Sequence, residues 1–320
     1  MPSCSKSSRT KASAPKSWRS VNRQPSFVSQ RTARARSRPI AHLRALVGER
    51  HPLSSPARLQ QTEAYLCEQF SATGLSVTTH GFDALGGIYR NVIGTARPTA
   101  ALRQQALPPL IVAAHYDTVP DSPGADDNAS GLVVLLDVAQ RIRQTSLSRP
   151  VQFIAFCLEE EDLLGSRAYV AHVTATRQPV HGAIVLECVG YARDEEGSQQ
   201  IPPGIPVTVP TVGNFLAVIG NQTSSSLTMA VEQAMRPHLS VVPLVVPGNG
   251  ELLPDTRRSD HTSFWEEGCP AVMLTDTANF RNPHYHRPTD TIVTLNLDFM
   301  ASVADSVTAA VLSLAGADRT

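Results

Sequence analysis

Short apolar runs, each ending where an acidic residue or a histidine begins, constrain the fold of this chain more than any other feature. The clearest run covers residues 110–114, reads Leu-Ile-Val-Ala-Ala and leads directly into His115-Tyr116-Asp117. Consecutive apolar residues of this length are typical of a strand that is covered on both faces. Similar runs occupy residues 151–158, 183–186, 215–219, 241–246 and 271–274. The pattern predicts a sheet that is buried on both sides.

Segments with helical spacing of their apolar residues lie between and around these runs. One begins at Pro56, directly after the capping residue Ser55, and stops at Gly74. The same spacing predicts helices over 132–142 and 300–314, and a strand pair is predicted over 75–80 and 88–94. Strands that alternate with helices predict the α/β class. We therefore expect one domain over residues 40–320, with a central mixed, mostly parallel sheet sandwiched between helices.

Charge is distributed unevenly along the chain. Lys plus Arg and Asp plus Glu each number 28, but residues 1–39 hold ten of the basic residues and no acid. The body therefore carries 18 basic and 28 acidic residues. Since phosphate binding needs a basic surface, we expect no nucleic-acid partner. Residues 1–39 contain few large apolar residues, so we expect a disordered tail, although the composition also resembles a transit peptide or sequence upstream of the true start.

Targeting signals and cysteine usage bear on the compartment. The tail lacks the apolar centre of a secretory signal, and no stretch approaches the roughly 18 apolar residues of a membrane span. The five cysteines are odd in number and include no closely spaced pair, which favours reduced thiols. We therefore expect a cytoplasmic protein without a membrane partner. The oligomeric state is not determined by the sequence, and a monomer is the working expectation.

Acidic residues and histidines follow four of the predicted strands. In open α/β sheets the functional site lies outside the carboxyl ends of the strands. His115 and Asp117 are two residues apart, so they point to the same side of their strand, as a metal-bound histidine and its supporting carboxylate do. The other groups are Asp126-Asp127, the run 159–162, Glu187, and the pair His284 and His286.

Each group alone has an ordinary explanation. Adjacent acids in a loop usually form a turn or a helix cap, and a run of Glu is usually a solvated helix start. Together, however, two histidines and several carboxylates at strand ends favour a divalent metal that prefers oxygen and nitrogen ligands. The carboxylates outnumber the ligands of one ion, which indicates two metals that share a bridging acid.

The groups at the strand ends belong to a series of short motifs. These are His115-x-Asp117, Gly-Ala-Asp126-Asp-Asn-Ala-Ser-Gly, Glu159-Glu160 followed by Leu-Leu-Gly165-Ser166, Glu187, Ser259-Asp260-His261 and Pro-His-Tyr-His286-x-Pro-x-Asp-Thr. They resemble the motifs of the M28 family of zinc aminopeptidases and occur in the family's order. The resemblance covers residues 40–316 and implies a single zinc-exopeptidase domain of the phosphorylase/hydrolase-like type.

The resemblance also implies a ligand set for two Zn²⁺ ions. Asp126 corresponds to the bridging ligand. Glu160 and His286 correspond to the other ligands of one zinc ion. His115 and Glu187 correspond to those of the second ion, although many family members have Asp where this chain has Glu187.

Catalytic roles are implied in the same way. Glu159 resembles the general acid/base, and Asp117 resembles the carboxylate that supports His115. A hydroxide that bridges the metals would attack the carbonyl of a peptide with a free N-terminus, with Glu159 taking and returning the proton. The family often has a cis peptide after its bridging Asp, which would place one at Asp126–Asp127.

The residue that stabilises the oxyanion is left open. Some family members place a tyrosine shortly before the Ser-Asp-His motif, and this chain has Arg257 and Arg258 there instead. Either arginine or His261 is a candidate, and zinc alone could suffice. Asp260 is a further candidate for substrate contact.

Three alternative functions share part of this pattern. A glutaminyl cyclase with a single zinc ion has similar motifs, and Asp260 aligns with an acid used there. A carboxypeptidase or amidohydrolase of the M20 type normally inserts a lid domain between its last acidic ligand and its last histidine, whereas 98 residues separate Glu187 from His286 here. A catalytically inactive binding protein on the same fold would lack ligands, and this chain has all of them.

Overall fold

A computed structural model describes residues 38–98, 107–202, 204–205 and 208–316 of the chain. The described residues from Pro39 onward form one compact unit. The tail predicted over residues 1–39 lies almost wholly outside the described residues. Its last two positions, Arg38 and Pro39, lie in helix α1, whose described part covers residues 38–46 and in which Leu43 and Leu46 are fully buried. The described structure therefore overlaps the predicted tail at these two positions.

An eight-stranded mixed sheet forms the centre of the domain, in the order β1-β2-β4-β3-β5-β8-β6-β7. Strands β4, β3, β5 and β8 run parallel to one another, while β1, β2 and β6 each pair antiparallel with a neighbour. The predicted α/β class is confirmed. The strands are β1 (Ser76–Ala84), β2 (Gly87–Ala96), β3 (Leu110–His115), β4 (Val151–Phe156), β5 (Gly182–Glu187), β6 (Leu216–Asn221), β7 (Val241–Val246) and β8 (Ala271–Thr275).

A tight hairpin joins the two edge strands β1 and β2. Ala84 pairs with Gly87, so the turn consists of Leu85 and Gly86 alone. Both turn residues have positive φ values, 49° and 76°, and this is the combination that matches the twist of a two-residue hairpin. Glycine adopts such a φ without steric cost. The short turn then determines which residues of β1 and β2 pair with each other.

Helices cover both faces of the sheet because successive side chains of each strand point to opposite sides. In β3, Val112 and Ala114 pack in one cluster, whereas Ile111 and Ala113 pack in the other. The first cluster includes side chains of α2, α3, α5 and α7, and the second includes those of α4 and α6. The helices after α1 are α2 (Pro56–Ala72), α3 (Gly131–Ile142), α4 (Leu164–Ala175), α5 (Ser225–Met235), α6 (His261–Glu266) and α7 (Leu297–Leu314).

Helix α7 is long and apolar enough to cross a membrane by length and composition, which the apolar runs of the sequence did not predict. Its residues Val303, Val307 and Val311 are fully buried in the larger core cluster. It packs against α3 and α5 in the layer on that face of the sheet. Its apolar composition is therefore explained by the buried face that it packs against α3 and α5.

The topology brings the predicted site residues to one edge of the sheet. Because β3, β4 and β5 are parallel neighbours, their carboxyl ends lie side by side, and these ends lead into His115, Glu159 and Glu187. Between Glu187 and His286 the chain forms β6, α5, β7, α6 and β8, whose strands belong to the same sheet. The described residues of this segment contain no inserted lid domain, in contrast to the M20 type.

Candidate active site

His115 ends β3 and lies at the centre of a buried cluster of carboxylates. Its Nε2 is 3.1 Å from Asp127 Oδ1, 3.3 Å from Glu187 Oε2 and 3.9 Å from Glu159 Oε2. Burial alone would lower the pKa of His115, but the charges of Glu159 and Glu187 outweigh it and raise the pKa well above its ordinary value. The site therefore favours a positive charge at this position.

His286 holds the other half of the cluster. Its Nε2 is 3.0 Å from Asp127 Oδ2 and 3.3 Å from Glu160 Oε2. Burial opposes the charged form, but Asp127 and Glu160 outweigh it and raise the pKa of His286 to about 10. Burial and the charge of Asp127 raise the pKa of Glu160 to about 7. His115 thus lies close to Glu187, His286 lies close to Glu160, and both histidines lie close to Asp127.

The shared carboxylate is Asp127, which corrects the prediction of Asp126. The backbone at Asp127 is not helical, with φ −104° and ψ 90°, so the two neighbouring side chains point in different directions. Asp126 turns away and accepts hydrogen bonds from the Gly190 amide at 2.8 Å and from Asn282 Nδ2 at 2.7 Å. The cis peptide expected at Asp126–Asp127 likewise lies one residue later, at Asp127–Asn128.

Two residues to which the sequence assigned no role hold this loop in place. Asp290 accepts the backbone amides of Asp126 and Asp127 at 3.0–3.1 Å. The fully buried Arg50 donates to the carbonyls of Tyr116 and Gly124 at 2.8 and 3.1 Å, and to others nearby. Gly124 has φ 58°, and a Cβ there would lie 2.2 Å from the Asp127 carbonyl oxygen. Asp290 stands in the quoted Pro-x-Asp-Thr motif, whereas no signal in the sequence pointed to Arg50.

Asp117 supports the site in a different way from the one predicted. Its Oδ1 lies 3.7 Å from His115 Nδ1, which is longer than a hydrogen bond. Its two oxygens instead accept the backbone amides of Glu159 and Glu160, each at 3.1 Å. Asp117 is fully buried, so it fixes the backbone that presents both glutamates.

Glu159 is buried beside the cluster. Burial, together with the charges of Glu187 and Glu160, raises the pKa of Glu159 well above its ordinary value, although His115 opposes the shift. A carboxyl group of raised pKa can both accept and donate a proton near neutral pH, which suits a general acid/base.

Glu187 has both oxygens held by side-chain donors. Ser259 Oγ donates to Oε2 at 2.8 Å, and Cys188 Sγ donates to Oε1 at 3.1 Å. The longer side chain at this position is therefore fixed by neighbours on two different loops. Cys188 is one of four described cysteines, all of which are free thiols, as predicted from their spacing.

The donor set fits metal ions. Ligands of a tetrahedral zinc ion with bonds of about 2.0–2.1 Å are separated by about 3.3 Å, which is close to the histidine–carboxylate distances here. His115 Nε2, Asp127 Oδ1 and Glu160 Oε1 are buried without a hydrogen-bond partner. Imidazole nitrogens and carboxylate oxygens that converge without hydrogen-bond partners are the ligands expected for zinc.

Two cavities flank the cluster and have different linings. One, called here the apolar cavity, measures about 70 Å³ and is lined by Glu187, Ile219, Met273 and Phe280, among others. The second, called here the polar cavity, measures about 320 Å³ and its lining includes Glu159, Glu160 and His286.

Of the four candidates for contact with the substrate or the oxyanion, Arg257 lines the polar cavity and Arg258 lines both cavities. Arg258 and Tyr285 line both of them, and Arg258 Nη2 donates to the Tyr285 hydroxyl at 3.2 Å. The Tyr285 ring stacks on His286, with ring centres 3.9 Å apart. Tyr285 was not predicted, because the tyrosine of the family pattern stands before the Ser-Asp-His motif and Tyr285 follows it.

Asp260 and His261 are fully buried and line neither cavity. Burial lowers the pKa of His261 to about 4, and its neutral ring donates from Nε2 to the Thr256 carbonyl at 2.8 Å. Both oxygens of Asp260 lack a partner, and burial raises the pKa of Asp260 to about 7. Direct substrate contact by either residue is therefore not supported by the geometry.

Comparison with known proteins identifies the family. The model of peptidase family M28 matches residues 91–311, more than half of the chain. The chain belongs to this family. This M28 peptidase is also 33% identical over 305 residues to the uncharacterized protein YfbL of Escherichia coli, with 90% of both chains covered.

Solved structures support the fold of this M28 peptidase. BSAP, a zinc aminopeptidase from Bacillus subtilis, matches with a TM-score of 0.54 and 26% identity over 74% of the chain. The match covers 52% of BSAP, so the chain spans about half the length of that relative. A glutaminyl cyclase from Porphyromonas gingivalis matches with a TM-score of 0.62 at 19% identity, over 87% of this chain and 96% of that one, which shows the shared fold alone.

Proposed function

We propose that this M28 peptidase is a zinc-dependent aminopeptidase that removes the first residue from peptides with a free N-terminus. One observation carries the proposal: Asp127 presents one oxygen to each of two histidines, and each histidine has its own glutamate. This arrangement supports a ligand set for two metal ions that share a carboxylate. The similarity to a zinc aminopeptidase supports zinc as the metal.

The ligand assignment follows the two halves of the cluster. His115 and Glu187 would hold one zinc ion, Glu160 and His286 would hold the other, and Asp127 would bridge them. Zinc ions bound there would supply Lewis acidity for the peptide carbonyl and would lower the pKa of a bound water.

The proton transfers belong to Glu159. It lies beside the ligands without being counted among them, and its backbone is fixed by Asp117. In the proposed reaction, its carboxylate takes a proton from water as the water oxygen bonds to the carbonyl carbon. The same proton then passes to the departing nitrogen as the C–N bond breaks. Water supplies the oxygen, so the products are a free amino acid and a peptide that is one residue shorter.

Charge at the site favours a substrate with a free amino group. The three carboxylate ligands and Glu159 together balance two divalent cations, and the nearby buried Asp117 adds negative charge. A negative cleft of low dielectric attracts the positive ammonium group of an N-terminus. The apolar cavity beside Glu187 would then receive an apolar first side chain, since Ile219, Met273 and Phe280 line it.

The oxyanion is proposed to be stabilised by the Tyr285 hydroxyl. Tyr285 lines both cavities and packs on His286. It therefore lies where the peptide bond between the first residue and the rest of the substrate would be placed. Because Arg258 donates to its oxygen, the phenol proton remains available to the substrate.

The test combines metal content with substrate choice. We expect two zinc ions per chain by atomic absorption, hydrolysis of leucine p-nitroanilide, and no hydrolysis of its N-acetylated form. Equal hydrolysis of the blocked compound would contradict an aminopeptidase. Ring closure of an N-terminal glutamine without hydrolysis of other substrates would favour the cyclase alternative, and a protein without metal or turnover would favour a binding role.

A further inference from the structure

The polar cavity contains three arginines to which the proposed reaction assigns no contact with the substrate. Arg167, Arg257 and Arg258 line it together with Glu159, Glu160 and His286. Glu159 is the proposed donor to the departing nitrogen, and it lines the polar cavity, whereas Glu187 lines the apolar one. The residue that leaves must therefore occupy the polar cavity.

Two of these arginines are already paired with acids. Arg167 Nη1 lies 2.8 Å from Asp162 Oδ2, and Arg257 Nη2 lies 2.9 Å from Glu266 Oε1. Arg257 also donates to the Asn249 carbonyl at 2.7 Å. Their charges are therefore neutralised within the protein.

Arg258 is held differently, by hydrogen bonds to two uncharged groups and by one longer ion pair. Its Nη1 donates to Asn279 Oδ1 at 2.9 Å and its Nη2 donates to the Tyr285 hydroxyl at 3.2 Å. Arg258 Nη1 also forms an ion pair with Asp255 Oδ1 at 3.7 Å, which is too long for a hydrogen bond and is screened by solvent because both side chains are more than 40% exposed. These contacts fix the guanidinium in place and leave several of its five N–H groups available. Its side chain is 43% exposed, so a substrate can reach it.

We infer that Arg258 is a specificity residue that binds a carboxylate on the leaving residue of the substrate. The inference rests on the proposed aminopeptidase function. In a dipeptide, this carboxylate is the C-terminus. In a longer peptide, it is the side chain of Asp or Glu at the second position. A fixed, planar guanidinium is well suited to such a group because it can donate two parallel hydrogen bonds.

Together with the negative charge near the ligands, this arrangement matches a zwitterion. The ammonium group of the substrate faces the acidic cluster, and its carboxylate faces Arg258 on the leaving side. Dipeptides with an apolar first residue are therefore the preferred substrate class, and the C-terminal carboxylate is the source that we favour.

The experiment compares matched substrates on the zinc-loaded enzyme. Leu-Ala and Leu-Ala amide differ only in the terminal carboxylate, and Leu-Glu amide and Leu-Gln amide differ only in the side-chain charge. We expect kcat/KM to be about tenfold to a hundredfold higher for Leu-Ala than for its amide, which is the range for a hydrogen bond to a charged group. A preference confined to the Leu-Glu amide pair would identify the side-chain carboxylate as the source.

The Arg258→Gln variant should reduce this preference to about onefold, mainly through the KM of the acid substrate. Arg257→Gln serves as the matched control, because Arg257 is already paired, and it should keep the preference. Equal rates for both members of each pair in the wild-type enzyme would overturn the inference without any variant. A preference that persists in the Arg258→Gln variant would also overturn the inference. Failure of the wild-type enzyme to cleave any of the four compounds would instead refute the proposed function.

Discussion

Asp126 and Asp127 are adjacent and chemically identical, yet we expect their substitutions to have different effects on zinc binding and stability. Asp127 presents its oxygens to two histidines at 3.1 and 3.0 Å, so Asp127→Asn removes the carboxylate that both proposed sites share. We expect zinc content to fall from two ions to at most one. Transition-state stabilisation by metal ions is worth several kcal/mol, so kcat/KM should fall by about 10³-fold or more.

Asp126→Asn should instead affect stability. An asparagine oxygen can still accept from the Gly190 amide, but its NH₂ group would face the NH₂ group of Asn282. Losing one buried hydrogen bond to a charged group costs about 1–3 kcal/mol. At about 2–4 °C per kcal/mol for a domain of this size, the melting temperature should fall by about 2–12 °C. Both zinc ions should remain bound.

The assay is the same for both variants: atomic absorption after gel filtration, hydrolysis of leucine p-nitroanilide, and thermal unfolding. Each substitution is the control for the other, since both replace Asp by Asn in one loop. The assignment is refuted if Asp126→Asn loses zinc while Asp127→Asn retains two ions and near-normal turnover.

Two further predictions concern the glutamates and the effect of pH. Glu159→Gln should keep both zinc ions and lower turnover by at least about 10²–10⁴-fold, whereas Glu160→Gln should lose zinc; the opposite outcome in metal analysis would show that the two roles are exchanged. In metal-free protein, the pKa of Glu160 is raised from 4.5 to about 7 and that of His286 from 6.5 to about 10. Both groups therefore stabilise the fold at low pH, and this contribution is lost as the pH rises through the raised pKa values. Because zinc competes with these protons, the rise in melting temperature on adding zinc to chelator-treated protein should be larger at pH 8 than at pH 5.5, and a larger rise at pH 5.5 would contradict this competition.

Much of the fold and the outline of the site follow from local sequence. The run 110–114 predicts a strand covered on both faces because every one of its residues is apolar, and β3 is buried throughout. Parallel strands end at the same edge, so the positions of His115 and Glu187 along the chain are enough to predict that they lie near each other. Glu159 and Glu160 follow the next strand and reach the same edge for the same reason.

Tertiary structure decided the features that depend on backbone direction and on contacts between distant segments. Asp126 and Asp127 have the same side chain, and only the non-helical backbone of their loop determines that Asp127 faces the histidines. Arg50 lies far along the chain from Gly124, so nothing local to either residue indicates that the guanidinium holds the loop. Arg258 and Tyr285 are separated by 27 positions and meet only because α6 and β8 return the chain to the same edge of the sheet. Apolar periodicity is a local property that can be read directly from the sequence. The direction of a side chain at a strand end, in contrast, is set by packing and hydrogen bonds that form only in the folded chain.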